Sequence, residues 1–321
     1  MMEFGSILRG FQAFCIRFDG RNCGPLTIAG ETASAKPKKR TDPMTIEAHD
    51  FSKVIENRYF GTAEQQALER RADLLWTVVR GSPGYASHGR VVALTDRSPE
   101  GVGRQIALAR LQGVCPTARL SPEVTRSRTA LIESAGLVTD VYDNWSADRS
   151  AINIARQVVA TRALPPGVDV SEVTASTSDD DYARLDALTQ SCGVLLPSAA
   201  FLRGDACPAV CLYAKAPDGT LVGAAASIAQ NPEGSEDEGR VFWGMLSTAA
   251  DWRGRGIAKI LGAMAIVAIA DRCNVRFFET GIRSDNIESA TLCRGLGLAP
   301  TGYFDLLAID PQTMSGGRMT K

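Results

Sequence analysis

The stretch that most constrains this chain is Arg253-Gly254-Arg255-Gly256-Ile257-Ala258, set between the apolar run Val241–Thr248 and the uncharged run Ile260–Ala270. Glycines at a strand-to-helix junction permit left-handed backbone and close approach of a ligand, and the first N–H groups of the helix have no intrahelical partner. Such a turn is an anion site with the helix dipole behind it, and Arg253 and Arg255 add charge-assisted donors suited to phosphate. A dinucleotide fingerprint would place a third glycine where Lys259 stands, which argues against a nicotinamide or flavin enzyme. The eleven residues of Ile260–Ala270 fall short of a membrane span and read as a buried helix.

Charge and cysteine content narrow the classes further. Lys and Arg total 35 against 36 Asp and Glu, so no general polycation points to nucleic acid or an anionic membrane. Hydrophobic residues at 45% and charged residues at 22% describe an ordinary globular chain. Eight cysteines in 321 residues do not make a disulfide scaffold, and Cys207 and Cys211 have only His49 and His88 as imidazole partners in the whole chain. No metal is therefore expected, and the cysteines read as free thiols of a cytoplasmic protein. Arg9 and Arg17 flank only the short stretch Gly10–Ile16, which is too short for a secretory leader.

Punctuation along the chain predicts its organisation. Residues 1–43, with the basic cluster Lys36, Lys38, Lys39 and Arg40, read as a disordered or spurious extension before Met44. Thr62 and Gln65 form a capping box ahead of a helix carrying Leu68, Ala72, Leu75 and Val79. A strand at Val91–Thr95, a helix from Ser98-Pro99 to Gly113, a strand at Pro116–Leu120, a helix from Ser121-Pro122 to Gly136 and a strand at Val138–Trp145 follow. A linking helix then runs to Pro165-Pro166-Gly167, the expected boundary between a domain at 44–165 and one at 166–321. Beyond it come a strand at Val168–Thr174, helices at Asp179–Gly193 and Ser198–Arg203, and strands at Ala209–Lys215, Leu221–Ala229 and Val241–Thr248. The long helix, a strand at Val275–Ile282, a helix at Asn286–Leu296 and a strand at Thr301–Ile309 complete an α/β order.

Arg253, Gly256 and Ala258 match the R/Q-x-x-G-x-G/A phosphate loop of the GNAT superfamily of acyl-CoA-dependent N-acetyltransferases. About thirty residues on, Asn286 followed by Leu292, Cys293, Gly297 and Leu298 resembles the second signature of that family. Residues of roughly 168–310 are thereby identified as GNAT-like: a mixed sheet flanked by helices, preceded by a second, smaller α/β domain. The resemblance implies acetyl-CoA as cosubstrate. It assigns the pantetheine arm to the backbone of Leu246, Ser247 and Thr248, the pyrophosphate to Gly254, Arg255, Gly256, Ile257 and Ala258 with Arg253, and a pantetheine contact to Asn286. An amine-bearing small molecule is the acceptor it implies more readily than a protein, with no nucleic acid and no membrane, and with a homodimer left open.

Acyl transfer asks for an amine that has lost a proton, a stabilised oxyanion and a protonated leaving thiol. The family tyrosine that gives the last proton is replaced by Cys293, so Cys293 itself or Tyr303 on the next strand is the candidate acid. Relatives often place a carboxylate where this chain has Gly281; Glu279, on the same strand face, is the candidate base or amine ligand. A carboxylate in an apolar strand is expected to have a raised pKa. The acidic loop Glu233, Glu236, Asp237 and Glu238 offers a field for a cationic amine, and Leu195, Leu196 and Phe201 an apolar acceptor wall. Residues 90–145 resemble a worn second copy of the same fold: Thr129–Leu137 parallels Ala290–Leu298, Tyr142 parallels Tyr303, and Gly101-Val102-Gly103-Arg104 parallels the phosphate loop. The missing tyrosine and carboxylate leave a non-catalytic acyl-CoA-binding or regulatory module as the opposing reading.

Overall fold

The computed structural model describes residues 57–314, all within one contact unit, and the expectations for residues 1–43 lie outside this range. The chain enters α1 (Ala63–Val79) through the expected capping box, in which Thr62 Oγ1 accepts from Gln65 N–H at 3.3 Å and Gln65 Oε1 accepts from Thr62 N–H at 2.9 Å. A short hairpin follows, β1 (Tyr85–Ser87) and β2 (Val92–Leu94), then a 3-10 turn at Pro99–Gly101 leading into α2 (Val102–Gln112). Next come β3 (Val114–Leu120), α3 (Pro122–Ser134), β4 (Val138–Asp148) and α4 (Ser150–Thr161). Past the Pro165–Gly167 turn lie β5 (Asp169–Glu172), α5 (Asp179–Ser191), α6 (Ala199–Arg203), β6 (Ala209–Lys215), β7 (Leu221–Ile228) and β8 (Arg240–Thr248). The chain ends in α7 (Ile257–Ala270), β9 (Phe277–Ile282), α8 (Ile287–Arg294) and β10 (Ala299–Ile309).

Apart from the hairpin, the strands form one eight-stranded sheet in the order β3-β10-β4-β9-β8-β7-β6-β5. All neighbours are antiparallel except β8 and β9, which run parallel. The residues on either side of Pro165–Gly167 thus share a sheet, with β4 of the first half lying between β9 and β10 of the second.

Two layers of helix cover the middle of that sheet. On one face, α4 and α7 pack over Val210, Val222, Val241, Trp243 and Phe278. The all-apolar sequence of α7 is explained by this position, since Ile257, Ile260, Leu261, Ala265, Ile266 and Ile269 are all buried. Each such side chain contributes about 1.5–3 kcal/mol by leaving water when it is Ile or Leu. Gly262 is required by a close approach: a Cβ there would stand 2.8 Å from the Trp243 ring, whose Nε1 donates to the Gly262 carbonyl at 2.9 Å. The opposite face carries α5 and α6, with Tyr182, Leu185, Leu196 and Phe201 against Tyr213, Ala224 and Met245. A third core joins α2 and α3 to β3 and β10 through Leu108, Ile132, Leu120 and Leu306. No helix among the described residues is long and apolar enough to cross a membrane.

Candidate active site

The site begins where two strands part. β8 and β9 pair only across Arg240–Phe242 and Phe277–Glu279, after which β8 continues to Thr248 and β9 to Ile282 without pairing to each other. Met245 takes φ +55 and the register against β7 slips between Ala224 and Ala226, a bulge that bends β8 away from its neighbour. Peptide groups of β8 beyond Phe242 therefore face an opening in place of a strand, an edge suited to an amide-bearing chain. The opening is a cleft of about 1090 Å³.

At the end of β8 the chain turns through Gly254 (φ +76) and Gly256 (φ +79), and Gly256 is the N-cap of α7 with no side chain to satisfy the first-turn N–H groups. A Cβ on either glycine would meet nothing within 4 Å, so the turn is open to a ligand that approaches its backbone. Arg253 lines the cleft and Arg255 does not; the Arg255 guanidinium lies over the Trp252 ring and donates to the Asp251 carbonyl at 3.1 Å. Asn286 caps α8 by accepting from Ser289 N–H at 3.0 Å through Oδ1, and it too lines the cleft.

One cleft thus gathers Leu246, Thr248, Arg253, Gly254, Gly256, Ile257, Ala258 and Asn286, while Ser247 is buried with its hydroxyl turned to the Met245 carbonyl. Residues 182–298 match the family model described as acetyltransferase (GNAT) family. That stretch, and with it the cleft, is similar to the GNAT acetyltransferases. No curated protein matches the sequence. Among solved structures the chain is similar to a GCN5-related N-acetyltransferase from Kribbella flavida, at 14% identity over 68% of this chain and 80% of that one (TM-score 0.46). It is also similar to a Drosophila protein, at 13% identity over 77% and 89% of the two chains (TM-score 0.48). A tandem GNAT protein from the clavulanic acid biosynthesis pathway aligns at 15% identity over 68% and 74% (TM-score 0.45).

The three candidate catalytic residues lie in different settings. Glu279 lines the cleft at 7% exposure, and Arg119 Nη1 donates to its Oε2 at 2.9 Å and Oε1 at 3.3 Å, with Arg240 at 3.4 Å. Both of its oxygens are held by guanidinium. Cys293 also lines the cleft, and burial pushes its thiol up to about 12. Tyr303 is 49% exposed and is not part of the cleft wall. The acidic loop is tied down: Asp237 is ion-paired with Arg97 and Arg119, and Arg276 binds the Glu236 and Glu238 carbonyls. Leu195, Leu196 and Phe201 belong to the core; Cys192, Gly193, Val194 and Pro197 of the same segment face the cleft instead.

The wall opposite the phosphate turn comes from segments to which the sequence reading gave no role in the site. His88, Arg90, Asn144 and Asp305 all face the cleft, as does Tyr142, previously singled out only as a repeat partner of Tyr303. Asp305 stands opposite Tyr142 in the β4–β10 register, and its Oδ1 accepts from Arg119 N–H at 2.9 Å and Asn144 Nδ2 at 3.1 Å. A Cβ on Gly281 would lie 3.0 Å from Asp305 Oδ2, so β10 delivers a carboxylate to the space beside Gly281. Burial, with Glu279 nearby, raises its pKa to about 6 against the stabilising N–H donors. Burial and the Arg90 charge lower His88 to about 4, which leaves a neutral imidazole at pH 7. The signal for Asp305 was present in the sequence, a single acid in the run Tyr303–Ile309, and is the same argument that selected Glu279. For Arg90 and Asn144 the sequence carries no comparable signal. Gly101–Arg104 has no part in the cleft; Gly101 is buried beside Arg128, and Arg104 is ion-paired with Asp96. Among the described residues no group of three His, Cys, Asp or Glu side chains is placed to hold a metal.

Proposed function

We propose that the protein is an acetyl-CoA-dependent N-acetyltransferase that transfers the acetyl group directly to a small amine in a ternary complex. The observation that carries this is the union, in one cleft, of an unpaired β8 edge and a glycine turn at the start of α7. Acetyl-CoA supplies the activated thioester. The open Gly254–Gly256 turn and the first N–H groups of α7 suit the pyrophosphate, with Arg253 adding charge. The bulged edge of β8 at Gly244–Leu246 hydrogen-bonds the pantetheine amides as a strand would, and Asn286, its Oδ1 spent on the α8 cap, turns Nδ2 to the same arm.

Asp305 takes the proton from the acceptor ammonium, because its pKa of about 6 leaves it ionised at pH 7 yet basic enough to accept. The free amine then forms the C–N bond to the acetyl carbon. The C–S bond breaks, its electron pair leaves on sulfur, and solvent returns a proton to the thiolate. Cys293, held at about 12, is a weaker acid than an ordinary thiol of pKa about 8.5 and serves to pack the cleft wall. Glu279 anchors Arg119, whose N–H in turn fixes Asp305. The free state of all six described cysteines supports a reducing, cytoplasmic setting.

Calorimetric titration of the full chain with acetyl-CoA and CoA tests the proposal. Wild type is expected to bind both, and Arg253→Ala/Gly256→Asp to lose about 100-fold or more in affinity, since a carboxylate then sits where the anion belongs. Absence of acetyl-CoA binding by folded wild type would sink the acetyltransferase reading.

A further inference from the structure

The acceptor half of the cleft holds one guanidinium that no described residue pairs with. Arg90 lies in the turn between β1 and β2, which is closed by His88 N–H donating to the Val91 carbonyl at 2.9 Å. That turn is locked onto the segment before α6: Ser198 N–H donates to the Gly89 carbonyl at 3.2 Å, and a Cβ on Gly89 (φ +69) would come within 2.3 Å of the Phe201 ring. The turn that presents His88 and Arg90 to the cleft is thus held against the start of α6.

Among the described residues Arg90 makes no hydrogen bond and no ion pair, whereas Arg283 of the same wall and the arginines behind Glu279 are engaged. Arg283 pairs with Asp140 at 2.7 Å, and Arg119 and Arg240 share Glu279. The carboxylate closest to Arg90 in electrostatic effect is Glu69, which burial pushes up to about 9 and which is therefore neutral at pH 7. Its Oε2 is already committed to Phe60 N–H at 3.1 Å. Arg90 is half-buried, and a guanidinium held there without a described partner is one that a ligand anion in the cleft would pair.

Position and charge both identify that anion. The phosphate turn belongs to α7 on one face of the sheet, while the Arg90 turn docks on the α5–α6 side, against Pro197 and Phe201. The two cations therefore serve opposite ends of the cleft that passes between β8 and β9. Tyr142, which faces the cleft beside Asp305 in register, lies within electrostatic reach of Arg90, so the unpaired guanidinium and the proposed proton acceptor border the same space. A single guanidinium fork next to a neutral imidazole matches one negative charge with two oxygens in a plane.

We propose that the acceptor is an amine that also carries a carboxylate, an amino-acid-like molecule whose carboxylate is clasped by Arg90 while its ammonium faces Asp305. This substrate class rests on the acetyl-transfer reading, and the two are separable by experiment. Full-length protein is incubated with acetyl-CoA and each of the twenty protein amino acids or its C-terminal amide, with release of the CoA thiol as the readout. At least one amino acid is expected to be acetylated with kcat/KM about 100-fold above that of its amide. Arg90→Met is expected to collapse that ratio toward one through KM, and Arg90→Lys to restore part of it. Retained acetyl-CoA affinity in both variants, measured by calorimetry, shows that they are folded. Equal use of acid and amide by wild type would overturn the proposal, as would an Arg90→Met variant that keeps the ratio. So would turnover of neither series by protein that binds acetyl-CoA. Failure to bind acetyl-CoA at all would instead remove the reading on which the proposal stands.

Discussion

The two ends of the cleft are built by opposite means. At the α7 end, one uninterrupted stretch from Leu246 to Ala258 provides a strand edge, two left-handed glycines and a helix start, and the groups proposed to bind there are mostly backbone N–H. At the other end, side chains from separate segments converge: His88 and Arg90 from the hairpin turn, Asn144 from β4, Glu279 from β9 and Asp305 from β10. Backbone recognition needs only a local sequence pattern and suits a ligand part that does not vary. Side-chain convergence needs the whole fold and leaves each position free to change with the acceptor. One end therefore rests on a local pattern and the other on the fold of the whole chain.

That contrast can be broken or sharpened by substitution. Asp305→Asn should give the largest effect, a fall in kcat of about 100-fold or more with acetyl-CoA affinity retained, measured by steady-state kinetics and calorimetry. In wild type, activity should fall as pH drops through about 6, because the base is then protonated, and the variant should lose that inflection. An unchanged kcat would return the base role to Glu279 or to water. Asn286→Ala strikes the α7 end instead. Loss of the α8 cap should cost about 1 kcal/mol in denaturant unfolding, and the lost Nδ2 should weaken acetyl-CoA binding without a preference among acceptors. Tyr303→Phe should do least, changing kcat by less than about twofold, since the phenol is exposed and outside the cleft wall. A large loss there would show that the cleft closes over β10 during turnover.

Most of the elements were legible because their signals are local. Thr62 with Gln65 and Ser121-Pro122 each announce a helix start within a few residues, and the structure has α1 and α3 at those places. The three-residue β1 went unread, being too short for any alternation to register. What no local pattern contains is the neighbour of a strand. The pairing of Asn144 with Gly281, and of Tyr142 with Asp305, joins residues more than 130 positions apart, and it is this pairing that puts a carboxylate beside Gly281. Glu279 was visible as an acid in an apolar strand, but the arrival of Arg119 from β3, held at φ +58, was not.

The insertion of β4 between β9 and β10 also sets the order in which the protein is completed during synthesis. β3 and β4 leave the ribosome early, yet the strand that lies between them in the finished sheet is β10, the last of the described strands to be made. Until residue 309 has emerged, both strands lack their shared hydrogen-bonding partner and expose unpaired edges. Closing a sheet through contacts so distant in sequence is slow, because the entropy of the intervening loop must be lost before any pairing is gained. The nascent chain therefore spends most of its translation with an unfinished sheet, and the acceptor end of the cleft comes into existence only in the final step.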